Sequence, residues 1–131
     1  MTVLINASPT NGLQMTSDGS GIVKLQSNSV TTNALAWVRF SSITGAAVIA
    51  SSYNISSITY TAAGVYTLNF TNALSDTNYV LTGSAYYPAT YIGVLCMNGT
   101  PSISSCSIVS AVATNGTNQN MPYISCAIFG N

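Results

Sequence analysis

Short runs of alternating apolar and polar residues follow one another along most of the chain, and none shows the sustained three-to-four-residue period of a helix. In one run, Tyr66, Leu68 and Phe70 should face a core while the residues between them face solvent. Clusters of Gly, Asn, Ser and Pro separate these runs, and Asn-Gly pairs at 98–99 and 115–116 suit tight turns. The runs predict strands at 34–40, 47–53, 56–61, 64–71, 78–86, 91–97, 106–114 and 122–129. We therefore predict an all-β fold, a β-sandwich for which a jelly-roll is one arrangement.

The residues before position 32 have a different pattern, with three brief strand-like pieces at 3–6, 12–16 and 21–26 that are separated by turns. Each piece is too short and too poor in large side chains to form a core alone. We predict two parts, a short-strand assembly segment at 1–31 and a β-sandwich domain at 32–131. If the pieces pack against the same segment of neighbouring chains, the subunit contacts are Val3, Ile5, Leu13, Met15, Val23 and Leu25. The alternative is that the pieces are the first strands of a single sandwich.

The chain carries almost no charge, because charged residues make up 3% of it, whereas soluble domains usually carry about a quarter. The charged side chains Asp18, Lys24, Arg39 and Asp76 cancel, and Ser, Thr and Asn supply most of the remaining polarity. Nothing electrostatic keeps copies of such a chain apart. The composition therefore favours an obligate homo-oligomer, and the alternative is a secreted domain with a bland surface.

The composition also excludes several classes of partner. The two basic residues cannot form the patch that displaces counterions from phosphates, so we expect no nucleic-acid partner. No apolar run reaches about 18 residues, so we expect no transmembrane helix and no membrane partner. The first residues lack the basic and long apolar regions of a signal peptide, so we expect the chain to be made and kept in a cytoplasm.

The reactive side chains argue against catalysis. The chain has no His and no Glu, so the usual general base for a Ser or Cys nucleophile is missing, as are the paired carboxylates of a glycosidase. A dyad of a Ser with Lys24 stays open but has no further support. We therefore predict no catalytic residue, no metal site and no cofactor. Cys96, Cys106 and Cys126 are too widely spaced for a zinc site or a disulfide framework, so each is expected to be a buried free thiol.

A few side chains are candidates for specific roles. Trp37 lies in an alternating strand, which predicts a buried core anchor, with a sugar-stacking platform as the alternative. The Asp76 side chain should bond nearby backbone amides in a turn, and Arg39 could pair with Asp76 or bond carbonyl groups. Exposed tyrosines in and near loops would be candidate receptor or glycan contacts, namely Tyr86, Tyr87, Tyr91 and Tyr123.

Three stretches resemble a module of bacteriophage structural proteins, namely AWVRF at 36–40, SYNISSIT at 52–59 and GVYTLNFTNALSDTNY at 64–79. Their order is similar to that in the C-terminal β module of fibre and other virion structural proteins of tailed bacteriophages, particularly marine phages and cyanophages. The flanks GLQMTSDGSG at 12–21 and AIFGN at 127–131 also resemble those proteins, so the resemblance covers nearly the whole chain. It implies a virion structural role, usually as a homotrimer without a cofactor.

The resemblance further implies a virion location, with assembly in the cytoplasm of the bacterial host and contacts with other virion proteins of the capsid or tail. Fibres of this kind are usually much longer. The length of the chain therefore favours a short head fibre, a capsid decoration or cement protein, or a small tail component over a full tail fibre. The alternative function is a receptor- or glycan-binding tip of a tail fibre.

Overall fold

The computed structural model describes residues 25–27, 30–88 and 91–130, and the regular structure in these ranges consists of β-strands. This confirms the all-β prediction. No helix in these ranges could span a membrane. The strands are β1 (Gln26–Ser27), β2 (Val30–Thr31), β3 (Ala36–Ser41), β4 (Val48–Tyr53), β5 (Ile55–Ala62), β6 (Val65–Phe70), β7 (Val80–Tyr87), β8 (Tyr91–Met97), β9 (Ser105–Val112) and β10 (Tyr123–Phe129).

The eight predicted strands are present as β3 to β10, and their ends differ from the predicted ends by at most two residues. A strand ends where its ladder of backbone hydrogen bonds ends, and the apolar pattern does not show that position. The two predicted Asn-Gly turns are confirmed, since Gly99 and Gly116 have φ of 78° and 70°, in the left-handed region.

The described part of the N-terminal segment is a very short antiparallel pair of β1 and β2. The Thr32 amide donates a hydrogen bond to the Leu25 carbonyl at 2.6 Å, while the Leu25 side chain is half exposed. The other predicted subunit contacts lie outside the described residues, namely Val3, Ile5, Leu13, Met15 and Val23. The division at residue 31 therefore stays a prediction.

The remaining eight strands form one antiparallel sheet in the order β4-β3-β10-β7-β8-β9-β6-β5. Within it, β10-β7-β8-β9 is a Greek key, because three consecutive strands are joined by a fourth that returns beside the first. The sheet is nearly closed, since its end strands β4 and β5 are consecutive in the chain and meet at Asn54. The choice between a sandwich and a barrel stays a prediction.

The core lies on the inner face of this sheet, where side chains from strands far apart in the sheet order meet. Strand β6 buries Tyr66, Leu68 and Phe70, which confirms the predicted inward face. The Phe40 ring of β3 packs edge-on against the Tyr66 ring with centroids 5.1 Å apart, so strands distant in the sheet order meet across the core. The other large side chains that are almost fully buried are Leu35, Val38, Ile108, Met121, Ile124 and Ile128.

Trp37 faces away from the core, which corrects the prediction of a buried anchor. The inward side chains of β3 are Ala36, Val38 and Phe40, while Trp37 is 39% exposed on the outer face. Alternate residues of a strand share a face, so burying Trp37 would also bury the charge of Arg39 at a high cost. Arg39 is therefore the feature of the sequence that indicates the observed orientation.

Two of the three cysteines are buried free thiols as predicted, namely Cys106 and Cys126. The prediction for Cys96 is wrong, since its side chain is exposed. In β8 the intermediate positions Leu95 and Met97 pack against the core, so the alternation of the strand turns Cys96 outward.

Candidate functional site

Three cross-strand rows of side chains run across the outer face of β3, β10 and β7. The register of the sheet places the members of each row on neighbouring strands, and alternate positions along a strand put the rows side by side. The rows are Trp37–Ala127–Thr82, Arg39–Ser125–Ser84, and Tyr123–Tyr86, which continues to Ile92 on β8.

The first two rows line an open groove of about 370 Å³, which we call the Trp37 groove. Its floor consists of small side chains on the neighbouring strands β10 and β7, namely Ser125, Ala127, Thr82 and Ser84. Trp37 and Arg39, on β3, line one side of it. The groove therefore combines an aromatic surface, a positive charge and hydroxyl groups.

Arg39 lies at the boundary between the groove and the third row. Its guanidinium carbon is 6.0 Å from the centroid of the Tyr123 ring, a cation–π contact that the sequence did not predict. In the part of the chain that the structure describes, it is also the only charged side chain that lines the groove. Asp76 instead accepts a hydrogen bond from the Asn78 amide at 2.7 Å, which confirms its predicted role in a turn.

The structure brings together two of the four tyrosines that were predicted to contact a receptor or glycan. The rings of Tyr86 and Tyr123 stack with centroids 6.1 Å apart, and both side chains are about half exposed. Tyr87 is half-buried, and the side chain of Tyr91 lies outside the described residues. The pair of Tyr86 and Tyr123 is thus the part of that prediction that the fold assembles on one surface.

No family model, curated protein or solved structure matches this chain. The interpretation of its surface therefore depends on geometry and chemistry.

Exposed apolar side chains extend the third row along β8. We call Tyr123, Tyr86, Ile92 and Val94 the apolar row; Ile92 is 77% exposed and Val94 is 42% exposed. Sequence reasoning missed Ile92 and Val94, because β8 is apolar on both faces and its pattern does not show which one is outward. Contiguous exposed apolar side chains of this kind mark interaction surfaces.

The outer face of β5, β6 and β9 has a different chemistry, since its polar side chains bond one another. The Asn69 Nδ2 group donates hydrogen bonds to Ser57 Oγ and Thr59 Oγ1, both at 3.0 Å. The hydroxyl groups of Thr67 and Ser107 also form a hydrogen bond at 3.0 Å. These hydrogen bonds pair polar side chains of this face with one another, which makes the face a weaker candidate for contacts than the apolar row or the Trp37 groove.

The buried thiols are poor candidates for reactive groups. Burial raises the pKa of the Cys126 thiol to about 12, and it also raises the pKa of Cys106. Both thiols therefore stay protonated at neutral pH, and a protonated thiol is a weak nucleophile. Among the described residues, no group of three or more Cys, Asp and Glu side chains could hold a metal ion. Cys96, by contrast, has an exposed thiol.

Proposed function

We propose that this chain is a non-enzymatic structural protein of a bacteriophage particle, a short fibre or a capsid decoration or cement component. It acts by self-association, as a homotrimer, and by attachment to other virion proteins. The observation that carries the proposal is the apolar row on the surface of a chain with almost no charge. The resemblance of residues 36–79 to phage structural modules supplies the biological setting.

The apolar row gains free energy when another protein surface covers it. Burying one large aliphatic side chain such as Ile92 contributes roughly 1.5–3 kcal/mol, and Tyr86 and Tyr123 would add their ring faces. Tyrosine is enriched among the residues that dominate interface energies, and the row contains Tyr86 and Tyr123. A second copy of the chain would meet little electrostatic repulsion, because the net charge is zero.

Sedimentation of the purified full chain at micromolar concentration tests the self-association. We expect a trimer, and we expect Ile92→Asn to shift the equilibrium towards monomer because it places an amide in the apolar contact. Ile103→Asn is the matched control, since Ile103 is 46% exposed just before β9, and the opposite end of that strand, at Val112, pairs with Gly93 beside Ile92. A wild-type chain that sediments as a monomer, or an Ile92→Asn variant that keeps the full oligomer, would contradict this role for the row.

Deletion of residues 1–29 tests the predicted assembly segment separately. Strands β3 to β10 all follow that segment, so the truncated chain should keep its far-ultraviolet circular dichroism while losing assembly. An unchanged oligomer would show that the contacts lie elsewhere.

The virion setting needs a measurement on particles. Cryo-electron microscopy of the phage that encodes the chain should show its density on the capsid or the tail. Mass spectrometry of purified particles that finds no peptide of the chain would reject the setting even if the chain forms trimers.

A further inference from the structure

The Trp37 groove has properties that self-association through the apolar row does not explain. Its floor lies on the adjacent strands β10 and β7, where Ser125, Ala127, Thr82 and Ser84 leave room beside Trp37 and Arg39. Larger β-branched or aromatic side chains suit the outer face of a strand at least as well. The groove is therefore a feature of these particular side chains and is not required by the fold.

The hydroxyl groups of the floor are free to bond a ligand. Within the described part of the chain, no side-chain hydrogen bond involves Thr82, Ser84 or Ser125. The equivalent hydroxyls on the outer face of β6 and β9 bond each other, as Thr67 and Ser107 do. Hydroxyl groups both donate and accept, so those of the floor match a ligand that carries hydroxyl groups of its own.

The side of the groove formed by β3 adds an apolar surface and a charge. Trp37 leaves 39% of its surface exposed, and an exposed indole gains from contact with a flat apolar face. Among the described residues, Arg39 is the only charged side chain in the lining, so the groove favours an anionic group. A guanidinium pairs best with a carboxylate or phosphate. Its contact with Tyr123 holds the guanidinium at one end of the groove.

We infer that the Trp37 groove binds an acidic saccharide unit, with the apolar face of the sugar ring on Trp37, its carboxylate on Arg39 and its hydroxyl groups on the floor. A pyranose ring has an apolar face of C–H groups and a rim of hydroxyl groups, which are the two surfaces that the groove presents. Its volume of about 370 Å³ lies at the small end of the range for ligand sites, roughly 300–1,000 Å³. The open shape accepts either the end or the middle of a glycan chain.

This inference goes beyond the structural role, because it depends on the groove and not on the apolar row. The full chain offers a direct readout, since Trp37 is its only tryptophan and its fluorescence reports on the groove. We would titrate the protein with sialyllactose, which has a terminal acidic sugar, and with oligogalacturonate, whose acidic units are internal. Lactose and methyl-esterified oligogalacturonate are the matched neutral probes.

We expect at least one acidic probe to change the Trp37 emission saturably, and its neutral counterpart to bind about tenfold more weakly or not at all. Raising the salt concentration should lower the affinity for the acidic probe, because salt screens the charge of Arg39, whose side chain is exposed. Saturation by sialyllactose alone would assign a terminal acidic sugar, and saturation by oligogalacturonate alone would assign an internal one.

Two variants and one control separate the contributions of the side chains. Arg39→Gln should lower the affinity for the acidic probe about tenfold and leave any binding of the neutral probe unchanged. Trp37→Ala should lower the affinity for both, as measured by calorimetry because the variant has no tryptophan. Ile43→Ala is the control and should bind like wild type. Both target side chains point outward, so unchanged circular dichroism of the variants is expected and is to be checked.

Three results would overturn the inference. They are the absence of saturable binding by either acidic probe up to about 10 mM, equally tight binding of the neutral counterpart, and unaltered acidic binding in Arg39→Gln. If the Trp37 emission changes with protein concentration but with none of the saccharides, the groove is instead a contact between copies of the chain. The Ile92→Asn variant keeps this test independent of the proposed function. A wild-type chain that is a monomer and binds the saccharide would reject the trimer alone, and a wild-type trimer that binds none would reject the saccharide site alone.

Discussion

Asn54 forms the corner where the chain passes from β4 to β5, and its replacement tests how the two ends of the sheet are held together. It has φ of 56°, in the left-handed region, and its side chain is 8% exposed. Its Nδ2 group donates to the carbonyls of Leu35 at 3.2 Å and Asn72 at 3.1 Å. Its Oδ1 atom accepts from the Asn72 amide at 2.8 Å. One side chain therefore joins the corner to the segments before β3 and after β6.

The geometry sets the size of the expected effect. Asn54→Ala removes three hydrogen bonds, each with a net contribution of about 1 kcal/mol, and leaves their backbone partners poorly satisfied. Alanine in the left-handed conformation costs about 1 kcal/mol more, whereas Asn tolerates it. We therefore expect the free energy of unfolding to fall by about 4 kcal/mol, a large part of the roughly 5–15 kcal/mol of a typical domain. Asn54→Gly loses the same hydrogen bonds without the strain, so it should be less damaging by about 0.5–1 kcal/mol.

Urea unfolding at a fixed protein concentration, followed by circular dichroism and by Trp37 fluorescence, measures these differences. Asn115→Ala is the matched control, because the Asn115 side chain accepts one hydrogen bond from the Thr117 amide at an exposed turn. It should cost about 1 kcal/mol or less. A loss below about 1 kcal/mol in Asn54→Ala, or a Gly variant that is less stable than the Ala variant, would refute the account of the corner.

Three further predictions concern two turn glycines, the accessibility of the cysteine thiols and the dependence of stability on pH. Gly64 and Gly116 have φ of 71° and 70°, but a Cβ would meet backbone atoms at Gly64 and nothing within 4 Å at Gly116. Gly64→Ala should therefore lower the urea midpoint far more than Gly116→Ala, and equal losses would contradict the packing. Mass spectrometry after iodoacetamide treatment of the native chain should find Cys96 modified and Cys126 unmodified until unfolding. Burial raises the pKa of Cys126 from 9.0 and of Tyr79 from 10.0 to about 12, so the unfolded state releases protons first. Stability should be fully present below pH 9 and fall as the pH rises towards 12, whereas equal urea midpoints at pH 8 and 11 would contradict this.

The positions of the strands could be predicted because alternation is a local property. In β6, Tyr66, Leu68 and Phe70 place a large apolar side chain at every second residue. This spacing fits a strand with one buried face and does not fit the period of a helix. In β3, the size of Trp37 predicts that its face is inward, whereas the charge of Arg39 on the same face indicates the observed outward orientation. An unpaired charge is the better guide, because burying it costs several kcal/mol while exposing an indole is common at interaction surfaces.

The site itself could not be predicted, because it depends on which strands become neighbours. Strand β10 lies between β3 and β7, and that register brings Trp37, Ala127 and Thr82 into one row from three distant parts of the chain. Alternation shows only that Ser125 and Ala127 share a face of β10. It does not show that a tryptophan lies beside them.

In β10, the side chains of the core and the side chains of the groove lie on opposite faces of the strand. The inward face of that strand carries Ile124, Cys126 and Ile128, which are buried in the core, while Ser125 and Ala127 lie on the outer face. Small side chains occupy Ser125 and Ala127 on that face, and they form the part of the groove floor that lies on β10. A larger side chain at Ala127, beside Trp37, would close the groove while leaving the core and the apolar row unchanged. Substitutions in the groove and in the apolar row therefore test the proposed saccharide binding and the proposed self-association separately.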